Sequence, residues 1–261
     1  MKILISNDDG IESPGIQALA KSMAMLGEVT VVAPTRERST SGHSLTLHKP
    51  LRIIPYQVNQ FATSGSPADC IYLGMREVMK TRPDIIVSGI NRGANLGTDI
   101  HYSGTVAAAR EAALMNIKSY AFSVVPMPEH PDAFKDGVWD FSIAAEIARR
   151  VVEATLNESF PAHTLLNVNV PHLPQSSIRG IRITTQGFRY YKEEVMKRED
   201  PRGRPYYWIG GPYKGFEKSE SSDCHAVEQG FAAITPVTID CTHQGFYASL
   251  KAKSLWDSLL R

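Results

Sequence analysis

From its first residues the chain alternates short, apolar runs with stretches of helical period, and few architectures can use that order. Residues 2–6, built on Ile3, Leu4 and Ile5, read as a buried strand. Ser13-Pro14 then opens a helix, the serine as cap and the proline in the first position. Ile16, Leu19, Ala20, Met23 and Leu26 follow at helical spacing, with Gly27 as the stop. Residues 28–33 make a second buried strand closed by Pro34, residues 35–44 a polar loop, and residues 51–56 a β-like segment. Ser66-Pro67 repeats the helix start, with Asp69 placed to accept from the first turn and Ile71, Tyr72, Met75, Val78 and Met79 along one apolar face. A strand at 84–87, a glycine-rich loop to Gly104, an alanine-rich helix over 105–115 and a strand at 120–125 continue the pattern. The helix after Trp139 is expected to bury Phe141, Ala144, Ala145, Ala148 and Val152. Strands that are apolar throughout need cover on both faces, so the order predicts an α/β fold with a mostly parallel sheet between helix layers.

The second half changes character. Residues 165–170 and 178–185 are strand-like, residues 232–239 a last strand and residues 251–260 a last short helix. Between them lie Phe188, Tyr190, Tyr191, Tyr206, Tyr207, Trp208, Tyr213 and Phe216, too many large rings to leave in water. Either an extended hairpin packs on another subunit, or a long loop folds back onto its own core. Residues 1–261 are expected to form one α/β domain, with a core over about 1–185 and an extension over about 186–261.

Composition narrows the function classes. A net charge of +1, with acids and bases interleaved, argues against a nucleic-acid partner bound through a basic surface. Three cysteines, an odd number with no pair at metal or redox spacing, read as reduced thiols in a cytoplasmic protein. The apolar run at the first strand is too short for a signal peptide, and no run approaches the roughly 20 residues that cross a bilayer, so no membrane partner is expected. The first strand is not followed by Gly-x-Gly-x-x-Gly, which speaks against a dinucleotide-dependent oxidoreductase.

In an open parallel sheet, ligands bind beyond the carboxyl ends of the strands at a topological switch point. There this chain places Asn7-Asp8-Asp9-Gly10 after the first strand and Arg36-Glu37-Arg38-Ser39, then Ser41-Gly42-His43, after the second. Ser88-Gly89-Ile90-Asn91 follows the strand at 84–87. Adjacent carboxylates at a buried strand end repel each other unless a cation lies beside them. A solvated Asp-Gly turn would account for Asp8 and Asp9 alone; Ser39 and Asn91 at equivalent strand ends favour a metal site. Two carboxylates, a hydroxyl and an amide oxygen suit one Mg²⁺ or Mn²⁺ with positions open for water and phosphate, whereas zinc would recruit histidine or cysteine. Tyr102-Ser103-Gly104-Thr105 ahead of the alanine-rich helix reads as an anion cradle or as an ordinary N-cap. His43 and His101 either carry protons or simply hydrogen-bond, and Arg36 either steadies a phosphate or pairs with Glu37.

Taken together, Asn7-Asp8-Asp9-Gly10, Ala33-Pro34-x-Arg36-x-x-Ser39, Ser88-Gly89-Ile90-Asn91-x-Gly93-x-Asn95-x-Gly97 and Tyr102-Ser103-Gly104-Thr105-Val106 resemble the survival protein SurE family of metal-dependent 5′/3′-nucleotidases. The likeness returns at Asp200-Pro201-Arg202-Gly203, Tyr207-Trp208, Ser222-Asp223 and Thr235-Pro236. It implies a Rossmann-like, doubly wound core with a C-terminal hairpin extension used for oligomerisation, as homodimer or homotetramer. Carried over, Asp8, Asp9, Ser39 and Asn91 would hold one divalent ion per subunit, and Asn95, Ser103, Gly104 and Thr105 would surround the phosphate. Asp8 and Asp9 would be the catalytic pair, acting through a water or, for Asp8, through a covalent aspartyl-phosphate. Nucleoside monophosphates, and polyphosphate for some members, are the implied substrates. The competing expectation is a regulatory protein that binds nucleotide and metal without turnover.

Overall fold

The computed structural model describes residues 1–127 and 139–253. In chain order its elements are β1 (Lys2–Ser6), α1 (Pro14–Met23), β2 (Glu28–Pro34), β3 (Ile53–Gln57), β4 (Gln60–Thr63), α2 (Pro67–Leu73), β5 (Ile85–Arg92), α3 (Gly104–Leu114) and β6 (Lys118–Val125). There follow α4 (Ser142–Thr155), β7 (Thr164–Pro171), β8 (Ile181–Ile183), β9 (Arg189–Tyr191), β10 (Glu194–Glu199), β11 (Pro205–Gly210), β12 (Tyr213–Phe216), α5 (Asp223–Glu228), β13 (Ala232–Thr238) and α6 (Gln244–Lys251). Among the described residues nine strands form one sheet in the order β3-β4-β2-β1-β5-β6-β7-β13-β8. β4, β2, β1, β5, β6 and β7 run parallel to their neighbours, while β3 on β4 and β13 on β7 are antiparallel. The chain builds outward from β1 through β2 and β4, then returns to lay β5 on the other side of β1. That reversal puts the switch point between β1 and β5.

Alternation along the central strands explains why both faces are covered. Ile3 and Ile5 of β1 join a core with Ile16, Leu19 and Met23 of α1 and Ala144, Ala148 and Val152 of α4. Leu4, one residue out of phase, packs on the opposite face with Ile71 of α2 and Ala108 and Ala112 of α3. The helix starts are built as the sequence implies: Ser13 Oγ accepts from Ile16 N–H at 3.4 Å, and Ser66 and Asp69 form a reciprocal capping box. Asp69 also accepts from the amide and hydroxyl of Thr46, tying the long loop before β3 to α2.

Three expectations are corrected. β5 does not stop at Val87 but runs to Arg92, with a bulge across Gly89 and Ile90 against β6, so Asn91 lies in the strand rather than in a loop. Helix α1 ends at Met23; Gly27 is needed for a different reason, since a Cβ there would lie 2.1 Å from the carbonyl oxygen of Met1. Tyr72, assigned to an apolar face, is exposed, on the solvent side of α2 next to the fully buried Ile71, and the helix continues into a π-helical turn over Gly74–Met79. Among the described residues a helix that the sequence reading did not name spans Gln244–Lys251, whereas the short helix expected over residues 251–260 falls mostly on residues 254–261, outside the described residues.

Most of the aromatic-rich stretch does not fold back onto the sheet. β10 and β11 pair as a ribbon in which Val195 faces Ile209 and Met196 faces Trp208, and all four side chains are exposed. β9 and β12 form a second ribbon, whose Phe216 reaches the core cluster around Leu96, Cys224 and Val227.

Candidate active site

The turn after β1 is set by Asn7. Its amide Nδ2 donates to Gly10 O at 2.9 Å and to Ser13 Oγ at 2.8 Å, and its Oδ1 accepts from Gly10 N–H at 3.2 Å. Gly10 sits at φ +99°, a conformation a side chain would strain. This buried staple releases Asp8 and Asp9 from the strand's alternation at the switch point. In the sequence Asn7 stood only as a motif letter; a short amide side chain three residues ahead of a glycine, able to close the turn onto that glycine's backbone, is the signal that identifies its role.

Asp8 is almost fully buried and lies against the start of α3. The Thr105 hydroxyl donates to its Oδ1, and the backbone amides of Gly104 and Thr105 also favour its charged form. Contact is so close that a Cβ on Gly104 would fall 2.6 Å from the Asp8 Cβ. Burial nevertheless outweighs these donors and raises the Asp8 pKa. Asp9, half-buried, accepts from Arg92 N–H at 3.2 Å through Oδ2. Its carboxyl is pushed up to about 6, first by burial and then by the charge of Asp8. The Asp8 carbonyl also receives Arg38 N–H at 2.7 Å, which docks the loop carrying Ser39.

Asp8, Ser39, Asn91, Asn95, His101 and Ser103 line one cleft of about 1300 Å³. The structure therefore joins segments that are dispersed in the chain. Ser39 Oγ gives its proton to Glu37 Oε1 at 2.6 Å, leaving its lone pairs for another ligand, and Asn91 gives its amide N–H to Gly93 O at 2.9 Å, leaving its oxygen. Asp8, Ser39 and Asn91 offer oxygen donors to this cleft, and Asp9, next in the chain but not lining it, adds a carboxylate disfavoured as an ionised pair with Asp8, a donor set that fits a hard divalent cation. Among the described residues no three or more His, Cys, Asp and Glu side chains come together as a group that could hold a metal ion.

The phosphate candidates divide. Ser103 caps α3 by accepting from Val106 N–H at 3.0 Å, which leaves its hydroxyl hydrogen to give to a ligand. Gly104 and Thr105 are instead engaged with Asp8: the helix start cradles a side chain of the protein itself. Asn95 is buried in a network, donating from its backbone to Asn169 Oδ1 at 2.9 Å and from Nδ2 to Ser123 Oγ at 2.8 Å, while Asn167 and Asn169 donate to its carbonyl. His43 is held by Glu111 Oε2 at 2.8 Å. His101 is exposed on the cleft wall. Arg189, which no local pattern singled out, and Tyr191, noted only as one of the crowded rings, enter the same cleft from the distant extension.

Known proteins resemble the chain over most of its length. The model of the family described as survival protein SurE matches residues 3–193. A protein of Geotalea uraniireducens named 5′-nucleotidase SurE is 48% identical over 98% of this chain and 99% of its own length. One of the same name from Vibrio vulnificus is 43% identical over 98% of this chain and 95% of its own. The crystal structure of the SurE protein from Aquifex aeolicus superposes with a TM-score of 0.83 at 41% identity, covering 96% of this chain and 98% of that one. With a family match over most of its length and relatives this similar from end to end, the chain belongs to the survival protein SurE family.

Proposed function

We propose that this chain is a 5′-nucleotidase: a divalent-metal-dependent phosphomonoesterase that releases phosphate from nucleoside 5′-monophosphates, with 3′-monophosphates and polyphosphate as further substrates. The observation that carries the reading is the Asp8–Asp9 pair at the switch point, with Asp8 seated on the first turn of α3 beside a cleft large enough for a nucleotide. The names of the relatives supply the substrate class.

In this reading Asp8, Asp9, Ser39 and Asn91 hold one Mg²⁺ or Mn²⁺. When bound, the ion neutralises the carboxylate pair and polarises a phosphate oxygen. Asp8 is kept in place by Thr105 and by the positive end of α3, so little has to reorganise as charge builds on phosphorus. Ser103 donates its hydroxyl hydrogen to a phosphate oxygen. Asn95 stiffens the loop behind that group through Ser123, Asn167 and Asn169 rather than reaching the phosphate with its amide. Water attacks phosphorus in line with the ester oxygen; one P–O bond forms as the other breaks, and the nucleoside leaves with a proton. His101, on the cleft wall, is the histidine free to deliver that proton, since His43 is committed to Glu111.

The extension serves self-association, as a dimer or tetramer. A two-stranded ribbon with apolar side chains exposed on both faces is marginal by itself and calls for a partner surface. Three free cysteines accord with a cytoplasmic setting.

The test is phosphate release from a panel of nucleoside monophosphates with Mg²⁺, Mn²⁺, Zn²⁺ or chelator, for wild type and Asp8→Asn. Turnover that requires an oxygen-preferring ion and is lost in the variant supports the site. Equal rates in the variant, or release in chelator, would place the chemistry elsewhere. Nucleotide binding without release would turn the reading to a regulatory protein.

A further inference from the structure

The turn that leads into α3 is short. It is a 3-10 segment over Gly97–His101, separated from the cap Ser103 only by Tyr102, and backbone bonds at its two ends run from Asp99 N–H to Leu96 O and from Tyr102 N–H to Asp99 O, each near 3 Å. It is also gripped from about 90 residues away in the chain. Arg189 Nη1 pairs with Asp99 Oδ2, and the Tyr191 hydroxyl donates to the same oxygen at 2.7 Å. The Arg189 guanidinium lies 4.3 Å from the centre of the Tyr213 ring, which fixes the orientation of its fork. Arg189 N–H donates to Thr98 Oγ1 at 3.3 Å, and Gln186 Nε2 to Gly97 O at 3.2 Å. Asp223, fully buried, accepts from Gly97 N–H and Gly187 N–H at 2.9 Å each, so one carboxylate spans the turn and the extension. Asp99 and Arg189 are only 20% and 14% exposed, so solvent screens their attraction far less than at a surface pair.

We propose that Asp99, Arg189 and Tyr191 are positioning residues, a clamp between the extension and the turn before α3 that sets Ser103, Thr105 and through Thr105 the carboxylate of Asp8. The proposal rests on the nucleotidase reading for its effect on catalysis, while its mechanical part stands independently. The clamp touches the reacting groups only through the helix start. Loosening it misaligns the groups that act in the transition state and leaves the rest of the cleft to bind substrate.

The experiment compares wild type with Arg189→Met, Asp99→Asn and the double variant in steady-state phosphate release and in hydrogen exchange across residues 97–106. Each single variant is expected to lose about tenfold or more in kcat, with KM within about twofold. The double variant should fall no further than the weaker single, because both remove one coupled unit. Amides through 97–106 should exchange faster while those of β6 keep their protection. Arg189→Lys restores the charge without the planar fork and should recover only part of the loss. Should Arg189→Met fail to fold, Tyr191→Phe, which removes one hydroxyl from a half-exposed ring, is expected to shift kcat and exchange in the same direction by less. A raised KM at unchanged kcat would make these residues substrate contacts and overturn the proposal. So would multiplying effects in the double variant, or unchanged exchange over 97–106. If the wild type releases no phosphate from any nucleotide, the nucleotidase reading fails by itself, and the exchange comparison still decides whether the clamp exists.

Discussion

At the residue scale, the site turns on how closely Asp8 meets the first turn of α3. Alanine is normally a better helix residue than glycine by about 1 kcal/mol. Gly104→Ala should invert that preference, because its Cβ would lie 2.6 Å from the Asp8 Cβ and 2.8 Å from Oδ2. Activity is expected to fall by about a hundredfold, since a misplacement of about 1 Å costs that much; phosphate-release assays on the folded variant check this. Thr105→Val keeps the shape of the side chain but removes the hydroxyl that Asp8 accepts from. A lost hydrogen bond to a charged group costs about 1.5–3 kcal/mol. For a chain of this length, calorimetry should then show a melting temperature lower by about 2–4 °C per kcal/mol. The Asp8–Asp9 pair was legible because adjacent carboxylates at the end of an apolar strand are conspicuous. That the Thr105 hydroxyl donates to Asp8 was not, because the partner of a helix-start donor is fixed only when another strand end is brought against it.

At the element scale, the loop between β2 and β3 has no regular structure of its own and depends on its anchors. Arg38 N–H donates to Asp8 O, Gly42 N–H to Tyr102 O at 3.2 Å, and His43 bonds to Glu111 of α3, whose carboxylate is buried. His43→Ala removes the outermost of these anchors. It should increase tryptic cleavage after Arg36 and Arg38 and lower turnover through Ser39, which a time course of limited proteolysis beside an activity assay would measure. Unchanged cleavage would mean that Arg38 and Gly42 hold the loop without His43. Sequence left this histidine between carrying a proton and simply hydrogen-bonding, and the structure gives it a contact with Glu111. Both uses need the same residue type, and only the neighbour, 68 positions away, separates them. The extension of β5 through Asn91 was hidden for a similar reason. Gly89 breaks the apolar pattern, yet the strand continues through a bulge where a Cβ on Gly89 would meet Phe122 O at 2.3 Å.

At the scale of the whole molecule, the sheet and its two helix layers bury the apolar strands while the β10–β11 ribbon stands exposed. If that ribbon is the self-association surface, wild type should sediment at a multiple of the single-chain mass. A Trp208→Glu, Ile209→Glu double variant should then move toward the single chain in analytical ultracentrifugation. These residues are solvent-facing within one chain, so the folded core should keep its melting behaviour once dissociated. A wild type that sediments as a single chain at every concentration would remove the role assigned to the extension. The clamp of Asp99 and Arg189 gives such association a route to the site, since β9 and β12 flank the segment that forms the exposed ribbon.

The sequence alone determined the strand–helix order and the covered parallel sheet, and it singled out Asp8, Ser39 and Asn91, which line one cleft. Each follows from local rules: apolar strands need two covers, serine–proline pairs start helices, and charges left at buried strand ends need partners. Tertiary structure decided what those groups do to one another. Gly104 faces Asp8, Glu111 takes His43, and Arg189 crosses from the extension to Asp99, contacts between segments whose spacing along the chain carries no periodic signal. Helix and strand patterns are written in neighbours a few residues apart. A site assembled from distant strand ends is specified only by the packing that brings them together.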